Sequence, residues 1–218
     1  MLDVNSENDF AFVLKRFFPL KQKTSILSHQ NGKIQILTKP TIKCKTLWPG
    51  MLISFNLNTS NRRFFCAENI NIIYNINNSK PFKIYWIHHV LEICYYFIPL
   101  HDPCTKIFSF LSCCIKLINN ENTFQSHIKI IKKTFLLNLL VLIGFYPPDN
   151  LLLYLDLYKQ ITLVSIDFNN NHKVQSLMSK LKLLKKQDIN NLDKWIQTCL
   201  CSHPQFKKFK TLNLKDEF

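Results

Sequence analysis

At 218 residues, 47% of them hydrophobic, the chain is long enough for one large or two small packed domains. It carries 28 Lys and Arg against 14 Asp and Glu, for a formal net charge of +14, and only three glycines. No Gly-rich phosphate cradle exists, and the few acids are scattered, so nucleotide hydrolysis and two-metal nuclease chemistry are not expected.

Charge is unevenly placed. Residues 1–83 hold twelve basic and four acidic side chains, residues 84–170 six of each, and residues 171–218 ten and four. Abundant Asn, Ile, Lys and Phe fit an AT-rich genome, but that bias alone would spread lysine evenly. A localised basic field attracts phosphate backbones or anionic surfaces.

The first 76 residues predict strands. Residues 10–14 are β-prone. Asn31-Gly32 between the runs 26–28 and 33–37 is a strong hairpin signal. Residues 38–47 read as a lysine-rich loop. A strand over 51–57 follows Trp48-Pro49-Gly50, then a polar turn at 58–61 and a strand over 63–73. Short alternating strands with tight turns point to a small basic β-barrel. The polar stretch 75–81 marks a domain boundary, dividing the chain into 1–80 and 81–218.

Helices follow. Residues 85–98 are apolar nearly all round and stop before Pro99. Asp102-Pro103 predicts a second helix start, with apolar positions recurring to Ile118. Thr123 caps a third helix over 128–143, closed by Gly144. The longest apolar run, 135–146, overlaps its end and falls short of the ~20 residues that span a bilayer, so it reads as a buried helix. Residues 151–158 fit a helix, 161–166 prefer a strand, 174–184 form an amphipathic helix with lysines opposite, and 192–200 form a last helix. Strands followed by helices give an α+β fold class: an N-terminal β-barrel, then an all-helical part.

The eight cysteines, at 44, 66, 94, 104, 113, 114, 199 and 201, contain no Cys-x-x-Cys pair. A four-ligand zinc site therefore lacks its usual form, and no metal or other cofactor is expected. Asp3, Glu7 and Asp9 interrupt any N-terminal apolar run, so no signal peptide is expected and the chain reads as reduced and cytoplasmic.

Candidate nucleic-acid phosphate contacts, which the resemblance given below assigns to DNA, are Lys15, Arg16, Lys33, Lys39, Lys43, Lys45, Arg62 and Arg63, with Lys21 and Lys23 beside them. Arginine occurs only three times, so the adjacent Arg62-Arg63 suggests forked phosphate binding. A solvated surface enriched in lysine by composition is the plainer alternative. Phe17, Phe18, Trp48, Phe64 and Phe65 lie among these charges and are assigned mostly to the core, because alternate strand residues face inward. Lys207, Lys208 and Lys210 are a second DNA contact or a loose basic tail. Lys132 and Lys133 are candidates to receive an acidic peptide, with a solvated helix face as the alternative. His88 and His89 are adjacent on a helix and poorly disposed to chelate together. Cys199 with His203 is a weak thiol-nucleophile pattern, lacking any oxyanion feature.

The sequence resembles the bacterial DNA repair and recombination mediator family RecO. Residues Phe12-Val13-Leu14-Lys15-Arg16, Asn31-Gly32-Lys33-Ile34, Lys39 and Leu47-Trp48-Pro49-Gly50 match its barrel in order and spacing. Leu91-Glu92, Phe108 with Leu111, Lys133-Thr134-Phe135, Leu139-Leu140 and Gly144-Phe145-Tyr146-Pro147 are similar to its helical part, and Phe209-Lys210-Thr211 to its tail. No single motif is specific; the collinear series carries the likeness, and residues 148–190 match poorly. The resemblance implies an OB-fold barrel with a helical C-terminal domain. It also implies binding of single- and double-stranded DNA, strand annealing and help in loading RecA. The implied partners are RecR and the acidic C-terminal tail of the single-stranded-DNA-binding protein, met by a nucleoid-associated monomer that is not an enzyme. Where many members carry a four-cysteine zinc site, this chain has Asn150-Leu151-Leu152-Leu153, which implies that the zinc is lost. The loop after Lys39 lacks the family's Gly-Ala-Arg run, and Lys21-Gln22-Lys23 stands at a commonly acidic position. An OB-fold RNA-binding protein and a peripheral membrane protein are the competing readings.

Overall fold

The computed structural model describes residues 8–17, 23–38, 47–58, 65–76, 80–103, 105–119, 125–146 and 186–204. Residues 1–108 form one compact unit and residues 109–218 a second.

Five strands build the first unit: β1 (Asp9–Arg16), β2 (Lys23–Ser28), β3 (Gly32–Thr38), β4 (Leu52–Asn58) and β5 (Phe65–Tyr74). They close in the order β1-β2-β3-β5-β4, with β4 returning to β1. All pairings are antiparallel except β3 with β5, which runs parallel through Ile36↔Phe65 to Thr38↔Ala67. This is the closed barrel expected from the strand pattern, of the OB type that the resemblance implies. Closure removes the sheet edges. Ala11, Val13, Ile26, Ile34, Ile36, Leu47, Met51, Ile53, Phe55 and Ala67 fill the interior. β2 starts at Lys23, earlier than the run 26–28 suggested, because the hairpin ladder extends from Ser28↔Gly32 to Lys23↔Leu37.

The hairpin is anchored by one carboxylate. Asp9 is buried, and its oxygens accept from the Ser28 hydroxyl, from Asn31 Nδ2 at 3.1 Å and from the amides of Phe10 at 2.7 Å and Gln30 at 3.3 Å. The Asn31 amide donates back to Ser28 Oγ at 2.8 Å. Gly32 has φ +66°, and a Cβ there would stand 1.9 Å from the Asp102 carbonyl oxygen. Only glycine permits both the left-handed turn and this approach. Beside it, the segment after the first helix is stitched on, as Leu100 bridges Lys33 in parallel and the His101 amide donates to the Lys33 carbonyl at 2.9 Å.

Helix α1 (Pro81–Phe97) starts four residues before the expected residue 85, with Pro81 in its first turn, where proline costs no hydrogen bond. It buries Trp86, Ile87, Val90, Leu91, Ile93, Cys94 and Phe97. Helix α2 (Thr105–Asn119) begins beyond the expected Asp102-Pro103 start. Phe108, near its beginning, packs at 5.3 Å on Phe12 and at 5.2 Å on His29, covering the outside of β1 and β2. Strands give way to helices near residue 80, while the compact barrel unit continues to Phe108.

In the second unit, α3 (Gln125–Leu142) packs against α4 (Lys186–Cys201). Phe135, Leu136, Leu137, Leu139 and Leu140 are buried, as expected of a core helix. Asn138 is buried among them with its amide donating to the Thr134 carbonyl at 2.9 Å. At the end of α3 the Phe145 amide bonds the Leu140 carbonyl at 2.9 Å and the Gly144 amide the Val141 carbonyl at 3.1 Å. With Gly144 at φ +96° this is a Schellman cap, as the glycine there predicted. Helix α4 contains the expected 192–200 segment. Among the described residues no helix is long and apolar enough to cross a membrane. The expected elements at 151–158, 161–166 and 174–184 lie outside the described residues.

Candidate nucleic-acid interface

A β-bulge sets up the basic mouth of the barrel. The register of β1 against β2 shifts between Val13 and Lys15, leaving Leu14 as the extra residue. By strict alternation Lys15 would share the inward face with Ala11 and Val13. The bulge reverses that and sends Lys15 outward.

There Lys15 meets aromatic rings from two directions. Its Nζ lies 4.4 Å from the ring centre of Tyr95, 5.5 Å from Phe17 and 5.7 Å from Tyr96. Lys23 Nζ stands 5.3 Å from Phe17. Tyr95 packs edge-on against Tyr96 at 5.0 Å and against Phe17 at 6.3 Å. All five side chains are half-buried. Burial pushes the Tyr95 phenol above its ordinary value; it does the same to Tyr96, helped by the charge of Glu92 and by Tyr95. The tyrosines therefore stay neutral at physiological pH, and the charge of the cluster comes from its lysines.

Lys33 departs from its expected role. It is only 7% exposed, and its Nζ donates to the Tyr95 carbonyl at 2.8 Å. That carbonyl belongs to the last turn of α1, where unpaired oxygens collect and where the helix carries no basic residue of its own. The ammonium from β3 supplies the missing cation to the negative end of the helix. Burial lowers the Lys33 pKa from its ordinary value. Lys33 is thus a helix-capping group, covered by the end of α1.

Lys15 and Arg16 lie at the open end of β1, half-buried. Lys39, Lys43 and Lys45 fall between β3 and β4 in the sequence, and Arg62 and Arg63 between β4 and β5; all five lie outside the described residues, as do Lys21, Lys207, Lys208 and Lys210. Of the aromatic candidates, Trp48 is exposed, while Phe65 packs against the barrel core and lies 5.5 Å from His101. Phe18 and Phe64 are outside the described residues. Phe17 is not a core residue; it faces the lysines.

Lys132 and Lys133 do not stand as open receivers of an acidic peptide. Lys132 is 3% exposed. Lys133 Nζ pairs with Asp193 Oδ2 at 2.6 Å, linking α3 to α4. His89 is buried and stacked on Trp86 at 6.2 Å, and burial lowers the pKa of its half-buried neighbour His88. The Cys199 thiol is pushed upward by burial, the opposite of what a nucleophile needs.

Sequence reasoning missed Tyr95 and Tyr96. The all-round apolar character of α1 predicted burial for them. The available signal was two adjacent phenols near a helix end, but nothing local connects them to Lys33, 62 positions earlier than Tyr95.

Residues 78–148 match the family model described as Recombination protein O C terminal. No curated protein matches the chain.

Proposed function

We propose that the chain is a non-enzymatic mediator of the recombination protein O family, acting in DNA repair and recombination and binding DNA through its barrel, a reading supported by the match of residues 78–148 to that family's C-terminal model. The observation that carries this reading is the closed β1-β2-β3-β5-β4 barrel, with lysines and aromatic rings gathered where β1 ends, β2 begins and α1 finishes. A barrel of this type holds nucleic acid through backbone charge and base stacking, without cutting or joining it. Lys15, Arg16 and Lys23 neutralise phosphates. Arg62-Arg63 and the lysines at 39, 43 and 45 extend the field along the sequence between the strands. Covering phosphate charge lowers the repulsion between two single strands, which is the electrostatic obstacle to annealing. Duplex DNA binds to the same charges. RecR, the acidic tail of the single-stranded-DNA-binding protein and RecA loading belong to the same proposal, with action in the cytoplasm on the nucleoid.

The test is a salt titration of binding to labelled single-stranded and duplex DNA, followed by annealing of complementary strands. Affinity falls steeply with salt, and charge reversal at Arg62 and Arg63 lowers it and flattens the salt slope. Absence of binding to either DNA at low salt overturns the reading. Stronger binding to RNA of matched sequence in direct competition assigns the barrel to RNA instead.

A further inference from the structure

We propose that Phe17 and Tyr96 form a base-stacking station for single-stranded DNA, with Lys15 and Lys23 holding the phosphates on either side and Tyr95 serving as the post that positions Lys15. This rests on the DNA-binding reading and specifies how one strand is held.

Three separate stretches converge on the station: the end of β1, the start of β2 and the last turns of α1. On α1 itself, Trp86 and Phe97 are buried, whereas Tyr95 and Tyr96 remain half-exposed. The three neighbouring rings therefore bring aromatic surface to the protein exterior, interleaved with two ammonium groups.

Tyr95 is engaged twice, with Lys15 Nζ at 4.4 Å and Lys33 Nζ at 5.5 Å from its ring. Phe17 also meets two ammonium groups, but Tyr95 has the closest of these contacts and its carbonyl holds Lys33 Nζ at 2.8 Å, which makes it the anchored member. Phe17 and Tyr96 are its neighbours, at 6.3 and 5.0 Å between ring centres. Lys15 stands farther from these two rings, at 5.5 and 5.7 Å.

The alternation of ring and ammonium selects the partner. Lysines alone would accept any anion, and rings alone any apolar surface. A polymer that alternates negative charge with flat π-faced groups is single-stranded nucleic acid. In a duplex the bases are already stacked inside and only phosphates and base edges are offered. An acidic peptide would meet the lysines but not the rings. Lysine is a point charge without the forked geometry that reads a base edge, so the station tolerates sequence.

The experiment uses the full chain and fluorescence anisotropy with three labelled probes: oligothymidylate, an abasic strand of the same length and a duplex. The wild type prefers oligothymidylate to the abasic strand. The double variant Phe17→Leu/Tyr96→Leu loses about tenfold or more in affinity for oligothymidylate, with abasic and duplex binding and the salt slope unchanged. Phe17→Tyr/Tyr96→Phe, which keeps the rings, restores the preference. Lys15→Gln weakens all three probes and reduces the single-strand salt slope by about 0.7. Equal wild-type affinity for thymidylate and abasic strands overturns the station, as does a double variant that weakens all three probes alike or none. If the wild type binds no DNA, the DNA-binding reading fails with it; if it binds with normal salt dependence and only the ring variants are silent, the station alone fails. Should the leucine variant lose its circular dichroism signal, photocross-linking of a 5-iodouracil strand to the wild type decides. Adducts on Phe17 or Tyr96 support the station, and adducts confined to other residues overturn it.

Discussion

Lys33 carries a charge that is buried between the barrel's outer face and α1. Its ammonium lies at the C-terminal end of α1, donating to the Tyr95 carbonyl at 2.8 Å. Lys33→Met removes a charge-assisted bond and the favourable dipole contact, at an expected cost of about 1–2 kcal/mol in urea unfolding. DNA affinity should be unchanged, which separates this lysine from Lys15. Burying that charge has an opposing cost, and the pH dependence reports it. Burial holds the Lys33 pKa below 10.5. Between the lowered value and 10.5 the unfolded chain binds more protons than the folded one, so stability rises with pH across that window. Tyr95 and Tyr96, pushed above 10.0, act with the opposite sign at higher pH, because the folded chain keeps protons that the unfolded chain has released. Comparing unfolding of the wild type and Lys33→Met over a pH series below 10.5 checks this: the rise is present in the first and absent in the second.

Among the elements, β1 and the α3–α4 pair show two uses of a local irregularity or a local charge. The bulge at Leu14 changes which face Lys15 occupies, and with it the chemistry of the barrel mouth. Between α3 and α4, Lys133 and Asp193 are paired with side chains 17% and 10% exposed. Removing one partner strands the other charge in a mostly buried place, so Asp193→Ala is expected to destabilise by about 1–3 kcal/mol in thermal or urea unfolding. A double-mutant cycle with Lys133→Met should return a coupling of similar size; additive effects would show that the pair contributes nothing. The strands and helices themselves were largely legible. Alternation placed β3, β4 and β5, and Gly144 placed the end of α3, because these signals depend on neighbours in sequence. The start of α1 was not, since residues 75–81 read as a linker ending at Pro81, whereas Pro81 occupies the first turn of the helix.

For the whole molecule, the relevant division is between residues 1–108 and 109–218. The outer face of β1, β2 and β3 carries Phe12, Leu27 and Lys33, all buried. Phe108 covers Phe12, Tyr95 accepts from Lys33, and Leu100 to Asp102 run alongside the β2–β3 turn. A fragment ending at residue 80 would expose that face, while one ending at 108 keeps it covered. Expressed separately, the 1–108 fragment should give a cooperative thermal transition and the 1–80 fragment should aggregate or unfold without one. Equal behaviour of the two would show that α1 contributes nothing to the barrel.

By itself the sequence determined the strand block, the helix block and the basic character of the barrel, because period, turn chemistry and charge are properties of neighbouring residues. It also supported the family likeness, through motifs kept in order along the chain. Only the tertiary structure decided which lysines face outward. Lys15 and Lys33 look alike as residues on short strands. One is turned out by a bulge toward three rings, and the other lies on the outer face of β3 beneath the end of the helix it caps. The capped carbonyl and two of the three rings belong to α1, whose contacts with the barrel are long-range in sequence and cannot be read from either segment alone.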